Sequence, residues 1–177
     1  MFKLICEKPQ RIIKNKERLE KILGIKIANR GREIIIHGPA ENEYIAERVA
    51  EALDFGFPFS VALLIKEQDF MLEVLNIKNY TKRKDLERVR ARIIGKDGKT
   101  LKTLNSLTKC FFEIKDNQVG IIGDPEYMRV ATDAMIFLIQ GSKQANVYTF
   151  LEQHQIKPVI DLGLKPVKKP KRKKKLV

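Results

Sequence analysis

A chain of 177 residues with 44% hydrophobic side chains can bury one core or two small ones, which excludes a largely disordered protein. Its formal net charge of +13 points to polyanionic partners, and no apolar run reaches the length of a membrane span. The two cysteines lie far apart, the two histidines sit in no cluster, and the N-terminus lacks the long apolar stretch of a secretory leader. A cytoplasmic protein with reduced thiols, no metal and no cofactor is expected.

Residues 2–7 alternate as a strand does, and 15–23 (NKERLEKIL) read as a helix stopped by Gly24. Residues 25–28 (IKIA) and 33–37 (EIIIH) flank the polar stretch 29–32 as the arms of a hairpin. Beyond Gly38-Pro39, residues 41–53 carry Tyr44/Ile45, Val49 and Leu53 at helical spacing. The stretch 55–68 then reads as a linker, with Phe55, Phe57 and Phe59 around Pro58 expected to pack between two units.

Residues 70–77 form the next strand, followed by a basic stretch. For 86–93 periodicity leaves two readings open. Leu86, Val89 and Ile93 share a helix face, while the alternation Val89, Ala91, Ile93 suits a strand. Residues 99–108 are helical, with Leu101, Leu104 and Leu107 on one side. Strands at 110–114 and 119–122 flank a turn at 115–117. Asp124 as cap and Pro125 at the first helical position open a helix that runs to about Gln140 and ends at Gly141. A last helix at 143–155 places Val147, Phe150, Leu151 and His154 on an apolar side, with His154 packed there rather than catalytic. Residues 156–177 end in a run of like charges that cannot bury itself, so a flexible basic tail is expected.

The two halves share one order of elements. Strand, polar turn, strand, a Gly near a Pro, and a helix recur from residue 25 and again from residue 111, which reads as an internal duplication of an α+β unit. The charge does not follow this symmetry. Residues 82–109 hold ten basic and three acidic side chains, and 165–177 hold eight basic and no acidic ones, whereas 1–81 come close to balance. Charge focused in this way suits the phosphates of a nucleic acid. No amphipathic surface helix accompanies it to favour an anionic membrane.

At the centre of the basic stretch stands RARIIGKDGKTLK, residues 90–102. Its Gly98-Lys99-Thr100 ending resembles a phosphate-cradling P-loop, but that loop needs four residues between its glycines and this one has two. The arginine-studded run before it is also unlike a buried strand, so a nucleotide triphosphatase is only a remote alternative. A G-x-x-G turn between helices fits better, because glycines lacking Cβ let the phosphates of a strand approach the backbone. Lys96 and Lys99 then meet phosphate, aided by N–H groups at the start of the next helix.

With IIGKDGKT, GIIGDP and GSKQANVYTFLE on the page, the chain resembles the archaeal form of the double-KH small-subunit ribosome assembly factors, the partner-of-Nob family. The likeness is close over about 69–152 and looser before. It implies an α+β fold of two tandem type I KH domains, each a three-stranded antiparallel sheet against three helices, with an extra C-terminal helix and a basic tail. The corresponding ranges are 1–54, a 55–68 linker, 69–155 and 156–177. The resemblance further implies RNA binding without catalysis, on single-stranded small-subunit rRNA near its 3′ end, beside the endonuclease that trims that end. The alpha subunit of translation initiation factor two is a further implied partner, and a monomer is expected. A general KH protein acting on messenger or exosome-bound RNA is the alternative.

The residues assigned to RNA are Arg88, Arg92, Ile94, Gly95, Lys96, Asp97, Gly98, Lys99, Lys102, Phe112 and Ile114. Ile94, Leu101, Leu104 and the 111–114 strand are the candidate groove wall, part of which must be core. The first unit has KNKERLEKI, with no glycine, between Ile13 and Leu23. A structural or protein-docking role is expected there instead of strand clamping.

Overall fold

The computed structural model describes residues 2–154; the basic tail lies outside the described residues. Two units of one topology follow each other. The first runs β1 (Phe2–Ile5), α1 (Gln10–Lys14), α2 (Lys16–Leu23), β2 (Lys26–Arg30), β3 (Glu33–His37), α3 (Ala40–Phe55) and α4 (Phe59–Glu67). The second runs β4 (Met71–Asn76), α5 (Leu86–Ile94), α6 (Lys99–Thr108), β5 (Phe111–Lys115), β6 (Gln118–Gly123), α7 (Pro125–Gln140) and α8 (Gln144–Gln153). Each sheet is antiparallel with the last strand of the unit in the centre, in the orders β1-β3-β2 and β4-β6-β5.

Both hairpins close more tightly than their composition suggests. Arg30 pairs with Glu33 and Lys115 with Gln118, so Asn29, Arg30 and Lys115 belong to strands and each turn is two residues long. Gly31 and Asp116 take the positive φ, 64° and 51°, that such a turn asks for.

The ambiguous stretch before the glycines is a helix. Asp85 caps it, its Oδ1 accepting the N–H of Arg88 at 3.0 Å, and Val89 and Ile93 bury themselves four residues apart. Two helices went unread in the sequence. Five-residue α1 is too short to display a period. α4, in the expected linker, is apolar nearly all round, and Ala62, Leu63 and Ile65 are buried in the first core.

Each unit has its own core, and the second sheet is covered on both faces. Phe112, Ile121 and Val119 face the second unit's helices, whereas Phe111, Leu72 and Ile122 pack against the first core. Strands covered on both faces become continuously apolar, which is how β6 (QVGIIG) reads. Phe55 and Phe57 stack at 5.8 Å and lie on Gly120, where a Cβ would come within 2.8 Å of both rings. Lys115 reaches from β5 to Asp54 (3.5 Å) and Glu7 (2.7 Å), closing the same interface with ion pairs. Burial alone would lower the Lys115 pKa, but the Glu7 hydrogen bond and the Asp54 charge outweigh it and the net shift is upward.

Candidate nucleic-acid interface

The stretch that joins α5 to α6 has a backbone only glycine-rich sequence can take. Gly95 ends α5 at φ 73°, ψ 175°, Lys96–Gly98 make one 3₁₀ turn with Asp97 at φ 54°, and Gly98 enters α6 at φ 71°. The two glycines answer to different demands. A Cβ on Gly95 would fall onto the side chain of Thr100, which is buried at 3% exposure, so this glycine is required by packing. Around Gly98 nothing lies within 4 Å of where a Cβ would be, so its bareness leaves the backbone open to solvent. No side chain caps the start of α6, whose first N–H groups therefore lack an intrahelical acceptor.

The base of the loop is held from behind by α8. The Gln144 amide donates to Thr100 Oγ1 at 2.9 Å and to the Arg92 carbonyl at 3.3 Å, while the Arg92 guanidinium donates to the Ser142 carbonyl. Sequence reasoning assigned nothing to Gln144, Ser142 or Thr100. Only the G-x-x-G-x-T spacing pointed toward Thr100, and no local signal marks Gln144.

The assigned residues fall into three groups. Lys96, Asp97, Lys99 and Lys102 are exposed around the loop, with Gly95 and Gly98 half-buried between them, whereas Arg88 is exposed two turns earlier on α5, on the side that faces α7 and α8. Ile94, at 38% exposure, presents an apolar surface beside the loop, and Ile114 is half-buried. Phe112 is set apart from these. At 7% exposure it belongs to the second core beside Ile121, so the sheet puts its ring inward and leaves little of it for a base. Leu104, another candidate for the groove wall, is wholly buried. Arg92 is half-buried, with its head tied to Ser142.

Charge pairing differs between the units. Among the described residues every salt bridge involves the first unit or its contact with Lys115, namely Lys3–Glu33, Arg48–Glu51, Lys115–Glu7 and Lys115–Asp54. None of the ten cations of residues 82–109 joins one. The neighbouring acids are otherwise placed: Asp85 caps α5, and Asp97 lies in the loop itself.

The two thiols are closed off by burial. Burial pushes the thiols of Cys6 and Cys110 up to about 11, which keeps them protonated. His154 is exposed at the end of α8 rather than packed in its apolar side, and its ring lies 4.3 Å from that of Phe150. Among the described residues no group of acidic, His or Cys side chains could hold a metal ion, and no helix is long and apolar enough to cross a membrane.

A profile of the eukaryotic-type, type I KH domain that stands second in PNO1 proteins matches residues 71–156. A KH domain-containing protein of Methanocaldococcus jannaschii is 30% identical over 80% of this chain and 66% of its own length. The pre-rRNA-processing protein PNO1 of Debaryomyces hansenii is 33% identical over 55% of this chain and 40% of its own length. The chain belongs to the PNO1-like KH family. Relatives in Dictyostelium discoideum and Caenorhabditis elegans are named RNA-binding proteins. Dim2p of Pyrococcus horikoshii has the same fold, with a TM-score of 0.78 at 25% identity over 86% of this chain and 98% of that one. A further P. horikoshii structure, of an a/eIF2alpha–aDim2p–rRNA complex, matches at TM-score 0.79 and 24% identity over 87% and 93%, a likeness of fold. The chain spans about two thirds of the Methanocaldococcus relative and less than half of the Debaryomyces one.

Proposed function

We propose that this chain is a small-subunit ribosome assembly factor whose second unit holds a single strand of rRNA on Gly95–Gly98. The observation that carries the reading is an open, glycine-built helix junction within a stretch of ten cations, none of them ion-paired among the described residues. Phosphates of about four nucleotides would lie over the loop, met by Lys96, Lys99 and the N–H groups of the α6 start. Ile94 and Ile114 would form the apolar side of the groove, and Lys102 its charged flank. The pre-rRNA-processing name of a relative supports rRNA over other RNAs. The finer reading places that RNA near the 3′ end, with the trimming endonuclease as a partner and the initiation factor alpha subunit as another. The first unit, lacking the loop, serves as a support or protein-docking body.

The test is fluorescence anisotropy of a labelled 3′-terminal rRNA strand against the parent and Lys96→Asp. The reversal is expected to cost roughly tenfold in affinity, with an unchanged melting temperature, because it places negative charge beside phosphate. A paired reversal in the first unit, Lys14→Asp with Lys16→Asp, is expected to change affinity by less than about twofold, since those side chains flank no open loop. Parental affinity in Lys96→Asp would remove the loop from the interface.

A further inference from the structure

Behind the loop, on the side of α5 that faces α7 and α8, lies a notch of about 570 Å³. Four cations line it, Arg83, Arg88, Arg92 and Lys143, and no carboxylate does. Its floor is apolar, from Val89, Leu138 and Ile139, and it contains no aromatic ring. We propose that this notch is a second RNA-binding site, taking the phosphodiester backbone of nucleotides that flank those held on the loop. The inference rests on the RNA-binding reading above and extends its footprint to a surface on another face of α5.

Three features set the notch apart from an ordinary solvated basic face. First, two of its cations lie against the backbone that links α7 to α8. The Arg92 guanidinium is anchored on the Ser142 carbonyl, and the Arg83 guanidinium fits against Gly141, where a Cβ would come within 2.9 Å of Nη2. Second, among the described residues none of the four cations has an ion-pair partner, although Asp85 and Glu87 lie in the same stretch of chain. Asp85 is occupied in capping α5. Guanidinium groups with unused donors suit phosphate, which takes them in a planar, forked geometry. Third, with no ring to stack a base, and with the Gln144 amide of its lining spent on Thr100 Oγ1 and the Arg92 carbonyl, the notch can read charge but not sequence.

Arg92 connects the two sites. It lies three residues before Gly95, about 4.5 Å along the helix axis, so a strand held on the loop reaches the notch within a few nucleotides. Because Ser142 and Lys143 form the link from α7 to α8, the site exists only where this helix follows α7.

The test compares a strand of about four nucleotides, enough for the loop, with one of about twelve, both titrated against the full chain over a salt series. The variant is Arg83→Glu with Lys143→Glu; Arg83→Gln with Lys143→Gln serves as a milder pair should the reversal melt early. The short strand is expected to bind as to the parent, while the long strand weakens about tenfold and its log K against log salt slope flattens by about one to two. Unchanged affinity for both strands would overturn the proposal, and so would an equal loss for both, which would merge the notch with the loop. Lys96→Asp, run in the same series, separates the readings. If it loses binding while the notch variant keeps the long strand, only the notch fails. If it binds both strands as the parent does, the loop assignment fails.

Discussion

The same point in the two units, the junction of the first two helices, is built in opposite ways. In the first unit α1 and α2 meet at one residue, Asn15, whose N–H donates to the Ile12 carbonyl, whose carbonyl accepts from Leu19, and whose amide donates to the Arg11 carbonyl. Its polar groups are spent on its own chain. In the second unit four residues with three positive φ values hold the helices apart, and the exposed side of Gly98 meets no protein atom. Among the described residues the few ion pairs follow the same division, lying in or beside the first unit and never among residues 82–109. Duplication therefore fixed the topology, while the backbone at one junction decides which unit has a surface to offer.

The comparison can be broken at several points. Gly95→Ala carries the largest expected effect. It forces a positive φ on alanine and drives a Cβ into Thr100, so a loss of about 2–3 kcal/mol in denaturant unfolding is expected. If stability were unchanged, packing would not be what demands this glycine. Lys115→Met tests whether the units depend on each other. It leaves Asp54 in the interface without its cation and is expected to cost about 1–3 kcal/mol; separate melting of the two units would be the accompanying calorimetric signature.

A smaller effect is expected at Gln144. Gln144→Leu removes the bonds to Thr100 Oγ1 and the Arg92 carbonyl, which hold the loop from behind, while adding or removing no charge. RNA affinity should fall several-fold with the salt slope unchanged, because no counterion is released at this residue. A flattened slope would mean that Gln144 acts on the phosphates indirectly, through the neighbouring cations, rather than on the loop.

The smallest concerns Glu113, at the interface beside Gly56. Burial raises its pKa, and the nearby Arg11 charge only partly offsets this. A raised carboxylate pKa means that the folded state holds the proton to higher pH than the unfolded one. Stability from this group is therefore lost as pH rises from the unfolded value, about 4.3, through the folded one. Glu113→Gln should stabilise by a few tenths of a kcal/mol at pH 7, an advantage that disappears on acidification below that window. Equal melting shifts at pH 3 and pH 7 would contradict this.

Much of the architecture was legible because its signals are local. The Asp124-Pro125 start of α7, its Gly141 stop and the alternation of EIIIH are chemical instructions to the backbone, and GKDG is recognisable by spacing alone. The 86–94 stretch was not, since alternation and helical period coincide over so few residues and only the Asp85 cap and the burial of Val89 and Ile93 choose between them. Nor could sequence divide the groove wall. Leu104 and Phe112 are core while Ile94 is exposed, and all three are equally apolar.

By itself, then, the sequence determined the repeated α+β unit, the focus of positive charge on residues 82–109 and the presence of one glycine junction where the other unit has none. The tertiary structure alone decided that α8 returns to brace that junction through Gln144, that Arg83 and Lys143 line one notch, and that Lys115 joins the units through Asp54. These pairings span 44 to 61 positions of chain. Periodicity reports only which face of an element is buried; what that face meets depends on how distant elements pack.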